Sequence, residues 1–387
     1  MEEYKDKEVD ICMIVRYALA SKQASKQASK QASKQASKQA SKQASKQASK
    51  QASKQASKQA SKQAREEWVD CVRGFAIACV IIGHYLYGRF VIVVFSFHIP
   101  LFFVISGYLF KPDSNYKTYC LKTIKKLALP TFLPMLIILI LSINRIRYIY
   151  IEYLLGLVHS TSYYEVKQGI GPLWFYYAFV ISCNIFNFII IRFQNINYII
   201  VFSCVISLMG YLISKIIILP WQIDNAFVLV IYLMIGYISK RIKWNNNYYN
   251  PVFLVSITLL SFIGFQLIGG QSYASRNYPS FPICVCFSII ICIFIMYLFK
   301  YHRVVNNKFF MTLGKNTTVL LGIHTVEYFT VMNKWCNYSI TNIRLLDSFI
   351  HAFFSLTIDY IVLLFINWLK YMLRRIALRY IPSEKET

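Results

Sequence analysis

From residue 68 onward the chain is a succession of long apolar runs separated by short polar connectors. Ten runs lie near 70–87, 91–110, 125–143, 173–191, 197–219, 225–239, 251–268, 281–299, 312–332 and 349–370. They approach or exceed the ~20 apolar residues with which a helix crosses a hydrocarbon core. The pattern predicts an all-α, polytopic membrane protein with about ten transmembrane helices. The expected organisation is an N-terminal segment (1–19), a cytoplasmic polar repeat (20–63), a membrane domain (64–375) and a short cytoplasmic tail (376–387).

Residues 20–63 are eleven tandem copies of Ala-Ser-Lys-Gln. The residue types favour helix, yet no apolar stripe exists to bury, and lysines every four residues repel one another. A solvated helix and a flexible basic tail touching anionic headgroups both fit. The genetic code adds a reading. If a four-base unit encodes the repeat, Ala fixes GC, Ser as AGC fixes the fourth base, Lys as AAG fixes the third, and Gln then reads CAA. One unit, GCAA, satisfies all four codons, so gain or loss of a unit shifts the frame. We expect a phase-variable bacterial gene, a habit associated with surface structures.

Composition agrees with a membrane protein. Hydrophobic residues make up 56%, charged residues 15%, and mean hydropathy is +0.44. A soluble domain carries about 25% charged residues, so a soluble globular enzyme is excluded. The net charge of +25 falls to +14 without the repeat lysines, and the remainder sits in short loops. That is a topology signal, and no nucleic-acid partner is expected. With the N-terminus in the cytoplasm, inner loops and the C-terminal tail hold 18 Lys or Arg against 8 outside. Both ends are therefore expected on the cytoplasmic side of a bacterial inner membrane. No cleavable signal peptide is visible, so insertion is expected to start from an internal span. Ten cysteines are present without a C-x-x-C pair, mostly within apolar runs. They read as small buried hydrophobes, and no metal site is expected.

Against this background the intramembrane polar residues stand out, since each is costly in hydrocarbon. Arg73 and His84 share the first run, eleven residues apart, which is three turns plus about 20° and a rise of roughly 16 Å. One face thus carries an anion-binding guanidinium and a proton-handling imidazole. A positive-inside arginine and a satisfied interhelical histidine fit equally well. His98 lies in the second run at a similar depth, next to Pro100, which frees a backbone carbonyl. Ser106 and Gly107 offer a small surface for close helix approach. His324 is followed three residues on by Glu327 and suits either a proton relay or a neutralised structural pair. Asp359 is a further acid in the tenth run, with no assignable partner. Lys122, Lys125 and Lys126 cluster at the start of the third run, as a phosphate or headgroup site or as topology determinants.

Taken in order, these segments resemble the acyltransferase family 3 of integral membrane proteins, and within it the fucose 4-O-acetylase-like branch. Asp70-x-x-Arg73-Gly74 with ten residues to His84 resembles the family's Arg-x10-His hallmark. Phe97 to Phe110 resembles the second-span motif that contains Ser106. Gly171-Pro172-Leu173-Trp174-Phe175 is similar to the start of the fourth span, and Leu313 to Thr317 running on to His324 is similar to a late Gly…His segment. The resemblance covers about residues 68–375. It implies an O-acetyltransferase that takes acetyl-CoA as donor, holds no permanent cofactor, and acetylates a sugar hydroxyl of a surface glycan such as lipopolysaccharide, capsule or a lipid-linked precursor. By the same resemblance His84, His98 and His324 are catalytic candidates. Arg73, Lys122, Lys125, Lys126, Trp174, Ser106 and Asp70 are substrate-binding candidates. His84 suits a general base or a transient acyl carrier. Two departures are visible: Lys122 and Lys125 stand where many members carry Arg-x-x-Arg, and Thr317 and Thr318 where a Ser is common. The competing expectation is a glycan flippase or polymerase, which needs no thioester donor.

Overall fold

The computed structural model describes residues 67–141, 154, 156, 158–159, 168–169, 171–242, 250–302, 307–332 and 338–380. The repeat at 20–63, the segment 1–19, the end of the C-terminal tail and most of the connector 142–170 lie outside the described residues. Everything below concerns the unit beginning at Glu66.

Twelve helices are described: α1 Glu67–Gly83, α2 Arg89–Phe95, α3 His98–Tyr108, α4 Tyr116–Leu141, α5 Trp174–Arg192, α6 Ile196–Ile216, α7 Ile223–Arg241, α8 Pro251–Ile268, α9 Phe281–Tyr301, α10 Lys308–Lys315, α11 Thr317–Glu327 and α12 Arg344–Tyr380. A two-residue antiparallel pair joins Val158–His159 to Gln168–Gly169.

Among the described residues, seven spans are long and apolar enough to cross a membrane: Arg89–Tyr108, Gly171–Arg192, Ile196–Ile216, Pro220–Arg241, Pro251–Ile268, Phe281–Tyr301 and Arg344–Leu373. The other three expected runs are helical but differ in form. The first, α1, stops at Gly83 after 17 residues. Residues 125–141 of the third lie within α4. The ninth is broken into α10 and α11 at Asn316, and then loosens into a π-turn at Tyr328–Met332.

Packing follows from two kinds of face. Outward faces of α6 and α8 expose Leu212, Phe253, Leu260 and Leu267. Such surface is tolerable only against hydrocarbon, where the helices' own hydrogen bonds satisfy the backbone. Inward contacts are made close by glycine. A Cβ on Gly236 of α7 would stand 1.8 Å from the Val104 carbonyl oxygen of α3, and one on Gly107 of α3 would stand 2.0 Å from that of Leu233. The same reciprocity joins α1 to α10. A Cβ on Gly74 would meet Phe310 O at 1.8 Å, and one on Gly314 would meet Asp70 O at 1.7 Å. Small residues let helix backbones approach where no hydrophobic force drives them together.

Just before Pro100 the helix breaks. Helices α2 and α3 are separated at Ser96 and Phe97. Proline has no N–H, so the Ser96 carbonyl four residues back loses its helical donor. It accepts instead from Gln271 Nε2 (2.9 Å) and Ser288 Oγ (2.6 Å).

Candidate active site

His84 falls one residue beyond the end of α1, in a turn held by Tyr85 N–H and Leu86 N–H donating to Ile82 O. Its imidazole is thus presented past the helix rather than along it. A cavity of about 710 Å3 lies beside it. At one end are Lys111, Asp113, Lys122 and Lys126, and Arg73 lies further in. At the other end are His84, His98 and Gln271, with apolar walls from α1, α3 and α5 between. Along α3 the wall runs from His98 to Ser106, a rise of roughly 12 Å at helical pitch.

Two rungs tie α1 and the turn that follows it to α11. Arg73 Nη2 donates to Thr317 Oγ1 at 3.0 Å. His84 Nδ1 lies 2.8 Å from His324 Nε2, the two rings 7° from parallel. Thr317 and His324 are seven residues apart, two helical turns less about 20°, so α11 turns both towards the same side.

Proton positions follow from the partners. His324 Nδ1 lies 3.0 Å from Glu327 Oε2 and 3.5 Å from Asp359 Oδ2. Carboxylates only accept, so Nδ1 carries a proton. In the neutral tautomer His324 Nε2 then accepts from His84 Nδ1–H, which leaves the lone pair of His84 on Nε2. Glu327 is fixed further by Tyr85 Oη, donating to Oε1 at 2.8 Å, and by Ser355 Oγ, donating to Oε2 at 2.8 Å. His324 and Asp359 are fully buried. His98 follows the same logic: its Nδ1 donates to Val94 O at 2.8 Å, so its Nε2 is an acceptor. Each imidazole is oriented by a bond at its other nitrogen, which is how a tautomer is chosen.

The lysine end is differently built. Lys122 Nζ already donates to Asp113 Oδ2 at 3.3 Å. Asp113 sits below the usual carboxylate range, chiefly because it accepts from the Asn115 N–H and then because of Lys122. Asn187 clamps the Asp113 backbone to α5 through both its amide atoms, each at 3.0 Å.

Of the expected site residues, Arg73, His84, His98, Ser106, Lys122, Lys126 and Trp174 line the cavity. His324 joins it through His84. Lys125 is exposed and is not among the lining residues, because it lies one position from Lys126 on the helix and so points about 100° away. Asp70 also lies elsewhere, buried on the α1 face that meets Gly314. Ser106 Oγ is committed to Phe102 O at 2.7 Å. Asp359 has in His324 the partner that spacing does not supply, and Tyr85, Ser355, Tyr176 and Gln271 carry no sequence signal of the contacts they make. An acid in an apolar run is a visible signal; a tyrosine at a helix end is not.

His324, Glu327 and Asp359 each place one ligand-type atom within 4.8 Å of the others, close enough for a cation. The Nδ1 proton bonded to Glu327, with Asp359 paired by charge at 3.5 Å, accounts for the same geometry.

The family described as the acyltransferase domain matches residues 66–369. Comparison with curated proteins gave no match. Comparison with solved structures gave none either. The match takes in both rungs, the cavity and most of α12, and the chain belongs to acyltransferase family 3, as a multi-pass membrane acyltransferase.

Proposed function

We propose that the cavity transfers an acetyl group from acetyl-CoA to a hydroxyl of a bacterial surface glycan or its lipid-linked precursor, as a fucose 4-O-acetylase-like enzyme would. The observation that carries this reading is the chain His84–His324–Glu327/Asp359 opening on a cavity whose far end is basic. The donor's phosphates meet Lys126, Lys122 and Arg73, and its thioester reaches towards His84. The acceptor hydroxyl gives its proton to His84 Nε2 while its oxygen attacks the thioester carbonyl. His84 passes its Nδ1 proton to His324, where two carboxylates stabilise the imidazolium. The carbon–sulfur bond breaks, and the thiolate takes a proton back from His84 along the same route. Donor and acceptor, base and relay then occupy one water-poor site, where preorganised charge is worth most.

The reading includes ten spans with both termini cytoplasmic in the inner membrane, which places the lysine end towards the acetyl-CoA pool. It also includes phase variation through the repeat. Glycan mass spectrometry on cells with the gene in frame and shifted by one repeat unit tests both. The expected result is one acetyl mass per modified residue, present only in frame. A glycan of altered length with unchanged acetylation contradicts acyl transfer and favours the flippase or polymerase.

A further inference from the structure

His84 and Tyr85 are consecutive, and both side chains reach the last turn of α11. His84 Nδ1 meets His324 Nε2 at 2.8 Å, and Tyr85 Oη donates to Glu327 Oε1 at 2.8 Å. The two α11 residues are joined in turn, His324 Nδ1 to Glu327 Oε2 at 3.0 Å. These contacts close a ring. It runs from imidazole to imidazole, from imidazole to carboxylate, from carboxylate to phenol, and back through the peptide bond between residues 84 and 85. Every member is in direct contact with the next.

Glu327 is the joint of this ring. The helix α11 ends at it, and the chain goes on as a π-turn from Tyr328. The carboxylate turns about a broad terminal torsion, so its partners set its direction. Oε2 accepts from His324 and from Ser355 Oγ, and Oε1 accepts from Tyr85. The bond at Oε1 opposes rotation about the other two. If Oε2 turns away, His324 loses the acceptor that holds its proton on Nδ1. The tautomers of both imidazoles are then no longer fixed, because each is set by the bond at its other nitrogen. Tyr85 is buried, where a hydrogen bond to a carboxylate is stronger than in water. Tyr87, two residues on in the same connector, is built differently. It is exposed, and its hydroxyl accepts from Arg344 Nη1 at 3.3 Å while the guanidinium lies 4.2 Å from the ring centroid. Arg344 begins α12 and is no member of the ring.

We infer that Tyr85 is a positioning residue: by holding Glu327 Oε1, its phenol keeps the proton of His324 on Nδ1 and the lone pair of His84 on Nε2, the nitrogen that meets the acceptor hydroxyl. The inference rests on the proposed acetyl transfer for its kinetic consequence, but not for the tautomer it assigns. A base whose supporting shell is loosened spends part of its time in the wrong form, which lowers the rate and leaves donor binding alone.

The test pairs kinetics with nitrogen-15 NMR of the full chain in detergent, labelled at histidine, with His84 assigned from the signals lost in His84→Gln. Wild-type His84 is expected as the Nδ1–H tautomer alone, and Tyr85→Phe as a mixture of both. In membranes given labelled acetyl-CoA, Tyr85→Phe is expected to lower the saturated rate of acetyl incorporation about tenfold, with the half-saturating concentration within about twofold. Tyr87→Phe, which takes a hydroxyl from the same connector, is expected to change neither by more than about twofold. In a Glu327→Gln background Tyr85→Phe is expected to cost less than about twofold more, because its oxygen acts through that carboxylate. A His84 tautomer unchanged by Tyr85→Phe, an equal loss from Tyr87→Phe, or the full loss retained beside Glu327→Gln overturns the assignment. Should Tyr85→Phe fail to accumulate, the wild-type spectrum is read alone: His84 protonated at Nε2 overturns the ring, and at Nδ1 supports it. A tautomer that shifts in Tyr85→Phe, with no acetyl incorporation by any of these proteins, keeps the positioning role and overturns the acyl-transfer reading.

Discussion

His324 donates one Nδ1 proton but faces two carboxylates, at 3.0 and 3.5 Å. Glu327 has two further donors in Tyr85 and Ser355; Asp359 accepts no hydrogen bond among the described residues and has only the 3.5 Å ion pair with His324. In the proposed relay Asp359 therefore acts by charge more than by geometry, as a positioning residue behind His324. Asp359→Asn keeps the shape and removes the charge. In steady-state kinetics we expect kcat to fall about tenfold to a hundredfold, with acetyl-CoA affinity unchanged, in the range that charge placement around a general base supplies. An unchanged kcat contradicts the relay beyond His84.

At the scale of elements, the site depends on two irregularities, and each yields a prediction. Pro100 withholds an N–H from Ser96 O, and the carbonyl is thereby left for Gln271 and Ser288. Pro100→Ala restores that donor and lets α2 run into α3 through Ser96 and Phe97. Transfer is expected to fall roughly tenfold in the same kinetic assay while the thermal midpoint holds or rises, since a proline no longer interrupts the helix. The second irregularity is the glycine contact between α3 and α7. Gly236→Ala puts a methyl group 1.8 Å from the Val104 carbonyl oxygen. Overpacking of this kind costs about 1–3 kcal/mol or more, and the thermal midpoint in detergent should drop by several degrees. The apolar runs announced the helices because length and hydropathy suffice for that. They did not announce where helices break, because breaks are set by single backbone groups and by partners far along the chain. The stop of α1 at Gly83 and the split at Asn316 are of this kind.

At the scale of the whole molecule, the cavity joins segments from both ends of the membrane unit: α1, α3, α4, α5, the 269–280 loop and α11. Arg73, His84, His98 and His324 were legible in sequence because charge and imidazole are conspicuous in hydrocarbon. The pairing of His84 with His324, the exclusion of Lys125 and Asp70 from the cavity lining, and the capture of the Ser96 carbonyl by Gln271 were not, since they depend on which helices meet. On the proposed reading that assembly separates two tasks along one passage, anion binding at the lysine and Arg73 end and proton handling at the imidazole end. The most direct measurement is acetyl incorporation from labelled acetyl-CoA into glycan by membranes carrying wild type or His84→Ala, with acetyl-CoA affinity measured on the same samples. The account predicts that His84→Ala lowers transfer about a thousandfold while binding acetyl-CoA as well as wild type. Transfer at the wild-type rate by His84→Ala would contradict it.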